Sequence, residues 1–102
     1  MCGARVLPSS FKIAGLLWKV VLDDHIASEM ARYGECRMVQ QQLAIAKGLK
    51  PDQEMQTFLH EVIHAVNGIV DLELTEHQIA GLTPLLYDAL RNCRIWDAPA
   101  GG

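Results

Sequence analysis

Apolar and polar residues alternate in the first half of the chain, which predicts β-strands. Residues 11–14 alternate and are followed by a glycine, and residues 17–23 are rich in β-branched and aromatic side chains. We interpret these two segments as a hairpin, because short runs of this composition on either side of a turn residue are typical of paired strands. Residues 35–39 and 40–46 predict a second hairpin, with its turn near residues 39–41.

The segment between the two hairpins, residues 24–33, fits two descriptions. Ile26, Met30 and Tyr33 recur at the spacing of one helix face, and Asp24 is a suitable N-cap, which favours a short helix. A surface loop explains the same residues equally well, so both alternatives stay open.

A helical period replaces the alternation from Pro51 onward. Pro51 suits the first turn of a helix, and the acidic residues Asp52 and Glu54 suit its positive end. The pair Asn67-Gly68 predicts that this helix ends at about Asn67. Six residues form its wide apolar face: Met55, Phe58, Leu59, Val62, Ile63 and Val66.

A second helix is predicted from the pattern T-x-x-Q that Thr75 and Gln78 form, since this is the pattern of a capping box. The helical period fades near Asn92, and Pro84 within it predicts a kink or a loosened turn. Together the elements predict an α+β fold, a small and mainly antiparallel sheet followed by two packed helices. The apolar stripe of the second helix consists of Ile79, Leu82, Leu86 and Leu90.

The length and charge of the chain exclude several classes of protein from the expected functions. The chain has 102 residues and a formal net charge of −3, with no basic stripe, so nucleic acid is not an expected partner. The length fits one domain, residues 1–102, with loose termini at about residues 1–9 and 97–102. The apolar stretches are shorter than the roughly 18–20 residues of a membrane span, and the start lacks the apolar region of a signal peptide. We therefore expect neither a membrane partner nor secretion.

The cysteines favour a reducing compartment, which makes the cytoplasm the expected location. The chain has three cysteines, an odd number, at Cys2, Cys36 and Cys93. They are widely spaced and no two of them form a CxxC motif, which argues against a set of disulfides. One alternative is that Cys36 or Cys93 reaches a metal ion. The more common role of such a residue is that of a small buried apolar side chain.

The motif that carries chemistry is H-E-x-x-H, residues 60–64, in the middle of the first predicted helix. His60 and His64 lie four positions apart, so they share one helix face and both imidazoles can reach one ion. Zinc favours nitrogen ligands in a tetrahedral shell, and a catalytic zinc site leaves one position for water. Glu61 lies beside the pair and can take a proton from that water.

A simpler explanation of the motif is a cluster of satisfied polar residues in the core. His60, Glu61 and His64 interrupt an apolar run, and unpaired polar groups there are costly. One metal ion would satisfy all three, and we therefore favour zinc.

The third ligand has several candidates, namely Asp71, Glu73, Glu76 and His77. Two helices joined by a short connection pack as an antiparallel hairpin, which brings the first turn of the second helix level with His64. Glu76 extends the apolar stripe of that helix and faces inward, whereas His77 is rotated by about 100°. Glu76 is the preferred ligand, with Glu73 and His77 as alternatives. A purely electrostatic role for Glu76 at the helix N-terminus is also possible.

Three further residues have less specific signals. His25 is interpreted as a solvated loop histidine. Tyr33 and Tyr87 are each able to polarise a scissile carbonyl, although a tyrosine is more often part of a core or its rim.

At these residues the chain resembles the small ImmA/IrrE-type zincin-like metallopeptidases, including short phage-encoded ones. The resemblance covers residues 34–90 and is carried by residues 43–46, 49–51 and above all 57–65, which are similar to a strand, a loop and a "T-L-L-H-E-x-x-H-A" helix. Residues 76–83 are similar to the family pattern E-x-x-A-x-x-F-A, in which the glutamate is the third ligand. The chain departs from these patterns at Lys50, Ile79 and Pro84.

The residues and the resemblance together imply a zinc-dependent metallopeptidase that hydrolyses a peptide or protein substrate. Zinc on His60, His64 and Glu76 would activate water, and Glu61 would act as general base and then as proton donor. The resemblance implies a zincin-like fold and, for a phage-encoded protein, the host cytoplasm. One alternative is a non-catalytic domain that zinc stabilises and that binds another protein; another is an amidohydrolase acting on a non-protein substrate.

Overall fold

The computed structural model describes residues 7–26 and 33–93. The α+β class is confirmed, with strands in the first half of the chain and helices in the second. The segment in which helix and loop stayed open lies largely at residues 27–32, outside the described residues. The described elements are β1 (Ser10–Ile13), β2 (Leu16–Asp23), β3 (Gly34–Arg37), β4 (Gln42–Ala46), α1 (Pro51–Val70) and α2 (Glu76–Asn92).

Both predicted hairpins are confirmed. β1 pairs with β2 in antiparallel fashion through a two-residue turn, Ala14 and Gly15, whose φ angles are both positive. Such a turn matches the twist of the strands that it joins. β3 pairs with β4 in antiparallel fashion, and the N–H of Gln41 donates to the carbonyl of Met38 at 3.2 Å to close the turn.

The sheet is mixed, and its strand order is β1-β2-β4-β3. The two hairpins meet along β2 and β4, which are parallel, with Val21 opposite Ala44. Two of the three strand pairs are antiparallel, so the expectation of a mainly antiparallel sheet is confirmed, and the central pair is the parallel exception. This order places β4 inside the sheet and leaves β3 at one edge.

The core lies between the sheet and α1. Residues 43–46 of β4 are almost completely buried, as expected for a central strand covered on both faces. Leu7 is also buried, and the carbonyl of Ser9 accepts a hydrogen bond from the N–H of Val20 at 2.9 Å. The expected loose start thus does not extend to residues 7–9. Within the described part of the chain, no helix is both long and apolar enough to cross a membrane.

The first helix is longer than predicted. α1 continues through Gly68 to Val70, and Asp71 ends it in the left-handed conformation at φ 55° and ψ 53°. Gly68 lies inside the helix, and the side chain of Met38 packs beside it, so that a Cβ there would lie 2.7 Å from the Met38 Cε. The predicted end at Asn67 is therefore wrong by about one turn.

The connection between the helices brings them together as an antiparallel hairpin. Asn67 organises it, because its side-chain oxygen accepts from the N–H of Leu74 at 2.9 Å. The capping box at the start of α2 is confirmed: the Thr75 hydroxyl accepts from the N–H of Gln78 at 3.1 Å, and the Gln78 side chain accepts from the N–H of Thr75 at 2.9 Å. α2 continues through Pro84 as one helix from Glu76 to Asn92.

Candidate metal centre

Helix α1 supplies the two histidines of the candidate site. His60 and His64 lie one turn apart, with ring centroids separated by 5.0 Å. Their side chains are 21% and 30% exposed, so both imidazoles are partly shielded and still reachable. This is the arrangement that the i, i+4 spacing predicts.

Helix α2 brings the carboxylate of Glu76 against both histidines. Its Oε1 lies 2.6 Å from Nε2 of His64, and its Oε2 lies 3.0 Å from Nε2 of His60. One ligand atom from each of the three residues lies within 4.8 Å of the other two. We call His60, His64 and Glu76 the ligand group. Its side chains come from two helices and converge because the connection places the first turn of α2 beside the last turns of α1.

The alternatives for the third ligand lie elsewhere. Asp71 and Glu73 belong to the connection and have positive φ angles of 55° and 62°. His77 is exposed on α2, one residue past Glu76, and therefore rotated away from α1. None of the three belongs to a described group of ligand-type side chains. The geometry agrees with the preference for Glu76, and metal binding itself remains a prediction.

Glu61 lies in the wall of the cleft that contains the ligand group. The cleft has a volume of about 830 Å³, and Glu61 is only 6% exposed in it. Three acidic residues line the cleft, Glu35, Glu61 and Glu76, and the described lining contains no lysine or arginine. The carboxylate of Glu35 pairs with Arg37 at 3.4 Å, which offsets its charge, so Glu61 and Glu76 contribute most of the negative charge of the cleft. This balance of charge favours a cation.

Gly34 allows the edge strand to approach Glu61. A Cβ at this position would lie 2.6 Å from Cγ2 of Thr57 and 3.0 Å from Oε2 of Glu61. At 2.6 Å either the Thr57 side chain or the backbone would have to shift, so glycine is the residue that fits between β3 and α1 without rearrangement. The sequence places a glycine at the start of a strand, but that signal alone does not reveal what the strand approaches.

Thr83 is a second site residue that the sequence did not reveal. It is 5% exposed, and its Oγ1 lies 3.3 Å from Nδ1 of His60 and 2.8 Å from the carbonyl oxygen of Ile79. Thr83 is two helical turns after Glu76 and therefore on the same face of α2. The spacing of seven residues from Glu76 is the one sequence signal that indicates a place for Thr83 in the site.

Neither of the two cysteines within the described residues joins the ligand group. Cys36 lies on β3 and lines the cleft, whereas Cys93 is exposed at the end of α2. Burial, with a smaller contribution from the negative charge of Glu61, raises the pKa of the Cys36 thiol to about 11. The thiol is therefore protonated near neutral pH, and the geometry gives no support to cysteine ligation.

The two tyrosines are in different places. Tyr33 is 52% exposed and lines the cleft, close to the start of β3. Tyr87 lies away from the cleft, where its hydroxyl donates to Asp52 at 2.6 Å. Burial, followed by this hydrogen bond, raises the pKa of Tyr87. His25 is exposed and does not line the cleft.

The donor set fits zinc by its chemistry. Two imidazole nitrogens and one carboxylate oxygen are the ligands of many catalytic zinc sites, which keep a fourth position open. The two histidines approach Glu76 through Nε2, the atom farthest from the α1 backbone, so the group converges at the cleft surface and not inside the helix pair. The same distances also fit a cluster in which protons bridge the histidines and the carboxylate.

Comparison of the chain with protein-family models, with curated proteins and with solved structures gives no match. The proposal for function therefore depends on the residues, on the motif that they form and on their geometry.

Proposed function

We propose that this protein is a zinc-dependent metallopeptidase and that His60, His64 and Glu76 hold the metal. The observation that carries the proposal is the approach of both Nε2 atoms to one carboxylate from another helix, at 3.0 and 2.6 Å. The acidic lining of the cleft supports a cation at this point. When bound, zinc supplies a Lewis acid and lowers the pKa of a water in its open position towards neutrality.

Glu61 is the proposed general base. Its carboxylate is shielded from solvent and lines the same cleft as the ligand group. It accepts a proton from the attacking water and passes that proton to the amide nitrogen, which leaves as an amine when the C–N bond breaks.

The edge strand β3 is the proposed binding surface for the substrate. It is the last strand of the sheet on the side of the cleft, and Tyr33, Gly34 and Cys36 form part of the cleft wall. An extended peptide can pair with such an edge through main-chain hydrogen bonds, which gives affinity with little dependence on sequence. The phenol of Tyr33 lies on the same rim, where it can donate a hydrogen bond to the scissile carbonyl.

The order of these parts also supports a zincin-like classification. An edge strand, a helix that carries H-E-x-x-H and a following helix that carries a glutamate occur in the order of the ImmA/IrrE-type enzymes that the sequence resembles. We propose that relationship on the motif and this arrangement together. A peptide or protein is then the expected substrate.

The second candidate function is a zinc-stabilised domain that binds another protein. The exposed leucines of α2 favour it, since Leu82, Leu85 and Leu86 are 40%, 71% and 42% exposed on one helix. Apolar side chains grouped on a surface are typical of interaction sites. In this case the metal would stabilise the small fold, and Glu61 would not be needed as a base.

Digestion of a broad peptide library, read by mass spectrometry, separates the two candidates. The proteins to compare are the wild type, Glu61→Gln and the control Glu54→Gln, which changes a glutamate of α1 outside the cleft. We expect cleavage by the wild type and the control, and a fall of about 10²–10⁴-fold in Glu61→Gln with zinc content unchanged. Zinc binding without cleavage in all three would favour the interaction domain. Equal cleavage by all three would indicate a contaminating protease and remove the support for catalysis.

A further inference from the structure

Thr83 is a buried hydroxyl that faces the ligand group from α2. It is 5% exposed, and its oxygen has two polar neighbours, the carbonyl of Ile79 at 2.8 Å and Nδ1 of His60 at 3.3 Å. A threonine inside a helix often bonds to the carbonyl four residues before it, as Thr83 does with Ile79. The second contact, across to the other helix, is the unusual one.

The Thr83 hydroxyl has one hydrogen, so it can donate in only one of its two contacts. A threonine hydroxyl has one hydrogen to donate and two lone pairs to accept with. The shorter contact is to the Ile79 carbonyl, which can only accept, so the hydroxyl hydrogen belongs there. The hydroxyl oxygen must then accept from His60, and Nδ1 of His60 must carry the hydrogen.

We infer that Thr83 is a positioning residue, which holds His60 in the tautomer with hydrogen on Nδ1 and so presents an unprotonated Nε2 to the metal. This inference rests on the proposed function. A neutral imidazole binds metal through the nitrogen that lacks hydrogen, and the hydrogen bond of the other nitrogen decides which one that is. Nε2 is the atom of His60 that lies 3.0 Å from Glu76 Oε2.

This assignment also bears on the choice between a metal and a proton-bridged cluster. In the Nδ1-protonated neutral form, Nε2 of His60 and the Glu76 carboxylate face each other with lone pairs, and a cation between them is favourable. A proton-bridged cluster with a neutral His60 instead needs hydrogen on Nε2, and an imidazolium, with hydrogen on both nitrogens, satisfies Thr83 and Glu76 together. Thr83 therefore favours metal binding over the neutral tautomer with hydrogen on Nε2. The described hydrogen bonds give His64 one partner, Glu76. The influence of Thr83 on the tautomer therefore applies to His60 and not to His64.

Zinc affinity of the full chain, measured by competition with a chromophoric chelator, tests the inference. Thr83→Val keeps the shape of the side chain and removes the hydroxyl, and Thr83→Ser keeps the hydroxyl. The matched control is Thr57→Val, because Thr57 is also a nearly buried threonine of the cleft and makes no described hydrogen bond to either histidine. We expect Thr83→Val to lose about 10–100-fold in zinc affinity, while Thr83→Ser and Thr57→Val stay within a few-fold of the wild type.

A second measurement keeps the inference testable whether or not the wild type binds zinc. The ¹⁵N shifts of the His60 ring in metal-free protein report the tautomer, and we expect hydrogen on Nδ1 in the wild type and in Thr83→Ser, but a mixture in Thr83→Val. If Thr83→Val fails to fold, Thr83→Ala takes its place in both measurements. Zinc affinity and tautomer both unchanged in the folded variant would overturn the role of Thr83. A wild type that binds no zinc, with the tautomer still dependent on Thr83, would instead overturn the proposed function.

Discussion

Two polar clusters join α1 to α2, one near each end of the helix pair, and they differ in how their atoms satisfy one another. In the first, Asp52 accepts hydrogen bonds from the Tyr87 hydroxyl at 2.6 Å and from the Arg91 guanidinium at 3.0 Å. We call these three residues the tyrosine clamp. In the second, the ligand group, one carboxylate faces two imidazole nitrogens at 2.6 and 3.0 Å.

The difference lies in the donors. The clamp matches two unambiguous donors with one acceptor, so it is complete without any further ion. In the ligand group, a neutral imidazole can turn an acceptor nitrogen towards Glu76, and in the tautomer that we infer from the Thr83 contact the unprotonated Nε2 of His60 does so. Clusters that look alike by distance therefore predict different behaviour. The clamp should affect stability alone, and the ligand group should affect metal binding.

The largest effect is expected at Glu76. Glu76→Gln replaces a charged ligand by a neutral amide, and zinc affinity should fall by more than the roughly 10–100-fold that residues outside the ligand shell give. Glu73→Gln and His77→Ala are the matched controls, since both residues are exposed near the start of α2 and outside the ligand group. Zinc competition on the three variants is the measurement. Loss of affinity in His77→Ala alone would show that the third ligand is assigned wrongly.

The next effect is expected at Gly34, because a methyl group there overlaps Thr57 Cγ2 at 2.6 Å. Overpacking of this kind costs about 1–3 kcal/mol in free energy of unfolding, and a shift of the neighbouring Glu61 should lower turnover. Thermal and urea unfolding measure the first effect, and peptide cleavage the second.

Two controls sharpen this prediction. A Cβ at Gly81, on α2, meets nothing within 4 Å, so Gly81→Ala should be neutral or should stabilise by up to about 1 kcal/mol. Thr57→Ser removes the methyl group that is in the way and should restore part of the stability lost in Gly34→Ala. A Gly34→Ala protein as stable and as active as the wild type would contradict the role of this glycine.

A smaller effect is expected at the tyrosine clamp. Tyr87→Phe removes the hydroxyl that bonds to Asp52 and should lower the free energy of unfolding by about 0.5–1.5 kcal/mol. Zinc affinity, measured at a temperature where the variant is folded, should stay within a few-fold of the wild type. A loss of affinity as large as that in Glu76→Gln would mean that the two clusters are not independent.

The smallest effect is expected at Cys36. Its pKa of about 11 leaves little thiolate at pH 8, so peptide mapping after iodoacetamide treatment should find Cys93 modified well before Cys36. Glu61→Gln removes the negative charge that contributes to the raised pKa, so Cys36 should then react a few-fold faster. Burial, the larger cause, is unchanged. Equal rates in both proteins would indicate that Glu61 does not lie beside the thiol.

Local signals predicted much of the fold. The hairpins and the capping box of Thr75 depend on residues within a few positions of one another, and each is found where the pattern placed it. The parallel pairing of β2 with β4 depends on how two hairpins meet, which no short pattern encodes. The packing of the Met38 side chain beside Gly68, thirty positions later, is likewise not encoded by any short pattern.

The residues of the candidate site also fall into those that local sequence patterns predicted and those that they did not. The i, i+4 spacing was enough to place His60 and His64 on one face of α1. Glu76 was placed beside them from the expected inward stripe of α2, and that stripe is wrong in part, because Leu82 and Leu86 are 40% and 42% exposed. The buried face of α2 consists of Ile79, Thr83 and Tyr87. Gly34 and Thr83 were missed because each acts through a contact between elements that are distant in sequence. Their residue types carry no signal until the neighbouring element is known.

The metal content of the purified wild type tests the central claim most directly. Elemental analysis after equilibration with zinc, together with X-ray absorption at the zinc edge, should give about one zinc per chain with two imidazole nitrogens and one carboxylate oxygen in its shell. His60→Ala should lose the metal. A folded wild type that remains metal-free after exposure to zinc, or one whose zinc lacks imidazole ligands, would contradict the account.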